Sequence, residues 1–229
     1  MCFSATADLT AAAIVAPVGV VALRMAPTRA DFPIAALPLL FAVHQGVEAF
    51  VWFGLQGTVS VGVMNAAILA YLLIAQIVLP LLVPLGVRAI EPVPWRRRAL
   101  LFPLAAGAAV AVWVVYVLNV EEIAAHVDRH ALVYETDYRL GPISTALYAV
   151  ATLGAVLLTS RRELLVFGLV NAAGFVGAAL VRYESVTSVW CVYAALTSAV
   201  VLLHLQVRRR EERARRRPVA VDPARAPGV

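Results

Sequence analysis

Residues 32–55 read FPIAALPLLFAVHQGVEAFVWFGL, an apolar run whose only ionisable members are His44 and Glu48. A helix needs about 20 apolar residues to cross the hydrocarbon core of a bilayer, so this stretch is long enough to span. The two ionisable residues are four positions apart and project from one helix face. Each costs about 2.5–3.5 kcal/mol at membrane depth. Residues placed there at such a cost face a protein interior or a wet cavity and mark a functional position.

The rest of the chain reads the same way. Apolar residues make up 62% of it and charged residues 14%, and its mean hydropathy is +0.85, far from a soluble domain. Seven hydrophobic segments stand out: Leu9–Met25, Phe32–Leu55, Ser60–Val87, Ala99–Val120, Pro142–Ser160, Glu163–Val181 and Val186–Val207. The expected fold is all-α, a polytopic bundle of seven transmembrane helices.

All 19 basic residues are arginine. Sixteen follow the first, third, fifth and seventh segments, and only Arg129, Arg139 and Arg182 fall on the other side. The positive-inside rule then predicts an exterior N-terminus and a cytoplasmic C-terminus. The opening MCFSATADLT carries Asp8 and no positive charge, so it does not read as a secretory signal. Two regions result: a seven-helix domain over 1–207 and an arginine-rich cytoplasmic tail over 208–229, expected to be disordered. The tail is a topology anchor that suits anionic lipid rather than nucleic acid.

The longest link, Glu121 to Gly141, is exterior in this topology. Glu122, His126 and His130 recur every four residues there, which predicts a short amphipathic helix between spans four and five. Trp95 beside Arg96–Arg98 suits an interfacial anchor. Gly168, Ala172, Gly174, Gly177 and Ala178 give the sixth segment a small-residue face that permits helix packing or a homo-oligomer.

The candidate chemistry centres on His44 and Glu48, with Gln45 adjacent and Trp52 one turn further along. An imidazole and a carboxylate one turn apart reach one metal ion or form an acid–base pair for a proton. The competing reading is an interhelical hydrogen bond that fixes packing. Cys2 and Cys191 both fall in the exterior half, where disulfide, thiolate ligation and an inert buried thiol all remain open. His130 points back toward the bundle in the same topology. Retinal is excluded, since its Schiff base needs a lysine. No HExxH, GxSxG or phosphate-binding loop occurs.

The segments MCFSATA, HQGVEAFVW, HALVYET and SVWCVYAAL together resemble an uncharacterised bacterial integral-membrane family of about seven spans whose members begin Met-Cys-Phe-Ser-Ala. The resemblance runs over most of Met1 to Leu205. It implies a fold and a bacterial plasma-membrane setting, and places Cys2, His44, Glu48, His130 and Cys191 in recognisable segments. It carries no activity with it.

The leading expectation is a metal site in the outer half of the bundle. His44 and Glu48 anchor it, His130, Cys2 or Cys191 complete it, and the ion is zinc or another transition metal. Zinc with an open position activates water, so a membrane hydrolase acting on a small molecule or lipid is the enzyme reading, with Glu48 as ligand or general base. The alternative is a transporter or sensor in which His44 and Glu48 bind a proton or small solute.

Overall fold

A computed structural model of the chain describes residues 4–121, 123–128, 131–135, 141–181 and 199–216. These residues are mostly helical. We label the helices α1 (Ala5–Met25), α2 (Phe32–Leu55), α3 (Val61–Ile90), α4 (Pro94–Val120), α5 (Gly141–Leu157), α6 (Arg162–Val181) and α7 (Ala199–Arg216). Four of them, α1 to α4, are long and apolar enough to cross a membrane. The predicted segments coincide with helix positions to within a few residues through α6. Most of the seventh segment, Val186–Val207, lies outside the described residues.

Helix starts follow from their caps. Ser4 Oγ accepts from the Ala7 amide to open α1, and Ser60 Oγ accepts from Val63 to open α3. Between α2 and α3, Gly57 takes φ +73°, a left-handed conformation that suits glycine in a tight helix-to-helix turn. Proline sets the irregularities. Pro80 cannot donate to the carbonyl of Gln76, and α3 widens into π-type turns over Leu73–Val78 just before it. Pro103 likewise follows the break between Pro94–Ala99 and Leu101–Val120 in α4. In α5 the π-type turn Val150–Gly154 surrounds Thr152, whose hydroxyl donates back to the Tyr148 carbonyl.

Close crossings fix the bundle. A Cβ at Gly107 would stand 2.0 Å from the Pro80 carbonyl oxygen, so only glycine lets α4 cross α3 there. A Cβ at Gly19 would meet the backbone of Leu39 at 2.4 Å, which pins the register of antiparallel α1 and α2. The largest core cluster joins all seven labelled helices through residues such as Ile34, Phe41, Val83, Leu100, Val156, Phe167 and Leu205.

Two expectations need correction. The link after α4 is not an amphipathic helix. Ala124–Asp128 (β1) and Ala131–Glu135 (β2) pair antiparallel, with Asp128 opposite Ala131 and Ala124 opposite Glu135. Its alternation of small or apolar residues with His126, Asp128 and Tyr134 has strand period, and Leu132 turns inward to 1% exposure. The four-residue spacing of acid and histidines looked helical, but β-branched and aromatic neighbours and packing on the bundle decided otherwise. The stretch 208–216, expected to belong to a disordered tail, is instead the end of a helix. Helix α7 continues through Arg216, held by contacts that Arg208 and Arg209 make with the α1–α2 turn.

Candidate functional site

His44, Gln45 and Glu48 are all at 0% exposure on α2, and Trp52 is at 6%. The helix presents them inward because Phe41, His44, Gln45, Glu48 and Trp52 form one stripe at spacings of three and four. The His44 imidazole stacks on the Tyr71 ring of α3, with centroids 4.1 Å apart. Tyr71 in turn stacks on Tyr134 of β2 at 4.4 Å. A column of three rings therefore joins α2, α3 and the hairpin, and Leu132 packs in the same cluster as Trp52 and Tyr71.

That stacking satisfies ring faces and leaves ring edges. Among the described residues, neither nitrogen of His44, neither amide atom of Gln45, nor the Trp52 indole nitrogen has a hydrogen-bond partner, although all are buried. A buried polar group left unpaired costs roughly 1–3 kcal/mol, so a run of them on one face is unusual for mere packing. An open groove of about 500 Å³ borders the same corner, between α3, the end of α4 and β1, with Asn65, Ile68 and Glu121 in its lining.

Sequence reasoning overlooked Asp8. It is a fully buried carboxylate on α1. Counting back along the antiparallel helices from the Gly19–Leu39 crossing sets it level with Phe50, between the depths of Glu48 and Trp52. The signal was present: Ala5, Asp8, Ala11, Val15, Gly19 and Ala22 form one small-residue stripe, the buried face of α1. Tyr71 was missed as well, because only the fold reveals which aromatic covers His44.

Of the predicted ligands, His44 and Glu48 lie buried on one face of α2. Cys2, His130 and Cys191 lie outside the described residues, as does Glu122; His126 is exposed on β1. No three His, Cys, Asp or Glu side chains cluster as a metal-holding group among the described residues.

The opposite, arginine-rich end is built differently. Asp31, at 0% exposure before α2, accepts from Arg208 Nε at 2.8 Å and from its second fork at 3.4 Å, and from the Thr28 hydroxyl. Arg208 also donates to Glu211 at 2.9 Å, and Arg161 donates to both Glu211 oxygens at 3.0 Å. Arg209 donates to the Met25 carbonyl at 2.7 Å and to that of Arg24, capping the end of α1. Burial alone would raise the Glu91 pKa. Donation from Ser160 N–H and O–H, Val93 N–H and the Thr159 hydroxyl outweighs it and holds the carboxyl below its ordinary range. Glu211, opposed in the same way by burial, is lowered by Arg208 and Arg161. His204, buried on α7, faces Glu163 at 3.6 Å, beyond hydrogen-bond distance.

Fold and site together define a helical protein compatible with a membrane, bearing a buried histidine–carboxylate face under a β-hairpin. The chain belongs to a family of unknown function (DUF6629), whose profile matches residues 1–217 and so takes in the arginine-rich end of α7. No curated protein and no solved structure matches it.

Proposed function

We propose that this is a polytopic protein of the bacterial plasma membrane that binds a transition metal ion, zinc foremost, between α2 and the hairpin. Seven spans, an exterior N-terminus and a cytoplasmic C-terminus complete the reading. The length of the apolar helices and the gathering of arginine at one end support it.

One observation carries the site: the buried His44 imidazole, with both nitrogens lacking a partner among the described residues, one turn from Glu48. An imidazole nitrogen with no internal hydrogen-bond partner can offer its lone pair to a metal. His130, Cys2 and Cys191 are the residues that would complete the shell. Zinc held with an open position supplies activated water, which makes hydrolysis of a small molecule or lipid the enzyme reading, with Glu48 as ligand or base.

Elemental analysis of detergent-purified chain, prepared without chelator, is the test. One zinc or other transition metal per chain is expected, and its loss in His44→Ala, Glu48→Ala. Chain without metal would sink the reading.

A second reading has its own support. His44 and Glu48 are buried one turn apart on α2, and a proton or a small solute asks for no more than such a pair. Binding that changes with pH between about 5 and 8, through the histidine range, is its signature. A flat profile there would count against it.

A further inference from the structure

The arginine end sorts its arginines into two groups. Arg161, Arg208 and Arg209 are engaged by carboxylates or helix-end carbonyls, as above. Arg96 donates to the Thr159 carbonyl at 2.6 Å while its guanidinium lies 5.1 Å over the Trp95 ring. Arg24, Arg29 and Arg162 are each exposed singly, whereas Arg97 and Arg98 stand side by side. They are exposed on the turn that starts α4, beside Trp95 at 61% exposure, and no carboxylate pairs with either among the described residues.

We propose that the Trp95–Arg98 turn is a binding surface for the headgroups of anionic phospholipids. The inference rests on reading α3 and α4 as membrane-crossing helices, since that puts the turn between them at headgroup level. Charge complementarity names the occupant: two exposed guanidinium forks match phosphodiester oxygens. The adjoining indole suits the membrane–water interface, and Arg96, tied to the α5–α6 link, holds the indole in place.

The same geometry moves the lipid contact away from the tail. The last part of α3 packs against Arg29–Asp31, and Arg208 is level with Asp31. Arg213 and Arg215 follow five and seven residues later on the same helix, roughly 8 and 11 Å further along its axis. That displacement is about a Debye length at physiological salt, so lipid charge is screened there.

Native mass spectrometry of the full chain in mild detergent, titrated separately with phosphatidylglycerol and phosphatidylcholine, tests this. Wild type should bind phosphatidylglycerol more tightly. Arg97→Gln with Arg98→Gln should weaken that binding about fivefold for each arginine removed, from about 1 kcal/mol per basic residue at a charged surface. Phosphatidylcholine binding should stay unchanged. Arg213→Gln with Arg215→Gln should retain wild-type binding of both lipids. Equal binding of the two lipids by wild type, or a tail variant that loses as much as the turn variant, would overturn the proposal. An alkaline carbonate wash of native membranes separates the two levels. Release of the chain would fail the membrane-crossing reading and this proposal with it, whereas retention without lipid preference fails the proposal alone.

Discussion

At the arginine end, Asp31, Arg208, Glu211 and Arg161 form a continuous chain of ion pairs. At the other end, His44, Gln45 and Trp52 bury polar atoms that meet no hydrogen-bond donor or acceptor among the described residues. Both ends draw residues from several helices, and each buries a carboxylate completely, Asp31 at one and Glu48 at the other. They differ in what the burial achieves. Polar groups that satisfy one another tie helices together, here α7 to the α1–α2 turn and to the α5–α6 link. Polar groups that satisfy nothing internal weaken a fold and persist where something else is to be bound. His204 is the exception at the arginine end, buried and only loosely opposed by Glu163.

The sharpest break in the comparison is Asp31→Asn. It leaves Arg208 with only the part-exposed Glu211 as carboxylate partner, so the cost lies at or below the low end of the about 3–5 kcal/mol for breaking a buried pair. A marked fall in Tm in detergent is expected, with Asp31→Leu, Arg208→Met recovering much of it. An unchanged Tm for Asp31→Asn would show that the end is not held by its ion pairs. Next comes Gly107→Ala, which forces a methyl into the Pro80 carbonyl. Overpacking of about 1–3 kcal/mol should lower Tm without altering any ligand bound at His44.

Glu91→Gln should cost about 1–2 kcal/mol near neutral pH, since hydrogen bonds to a charged group exceed those to a neutral one. The Glu91 pKa is lowered in the fold, so the charged carboxylate stabilises above its ordinary value of 4.5. That contribution fades as pH falls from there through the lower folded value. Thermal melts of wild type and variant should therefore converge in acid; a gap that widens below pH 4.5 would reverse the sign. The smallest expected effect is also the most telling. His44→Leu removes the stack on Tyr71 but also two unpaired buried nitrogens, so stability should change by no more than about 1 kcal/mol.

The membrane-length helices were legible in the sequence because hydropathy and length alone decide them, and α2 has the bounds read from its apolar run. The His44–Glu48 face was legible because two ionisable residues stood in that run. The Asp31–Arg208 pair was not: its partners are 177 positions apart, and nothing local links a turn acid to one arginine among many. The hairpin escaped because a four-residue spacing of histidines outweighed the strand alternation of AAHVD and ALVYE, which only docking against Tyr71 and Trp52 makes decisive. Asp8 was overlooked for a related reason. It was weighed as a terminal charge and not as a member of the buried stripe of α1.

The central claim is that the His44 end is kept for a ligand and the ion-pair chain from Asp31 to Arg161 for the fold. It is tested most directly by Tm in detergent with and without added zinc, for wild type and His44→Leu. Zinc at about 100 times its Kd should stabilise wild type by about 2.7 kcal/mol, seen as a rise of several degrees, and leave His44→Leu where it was. The same rise in both proteins, or none in either, would contradict the account.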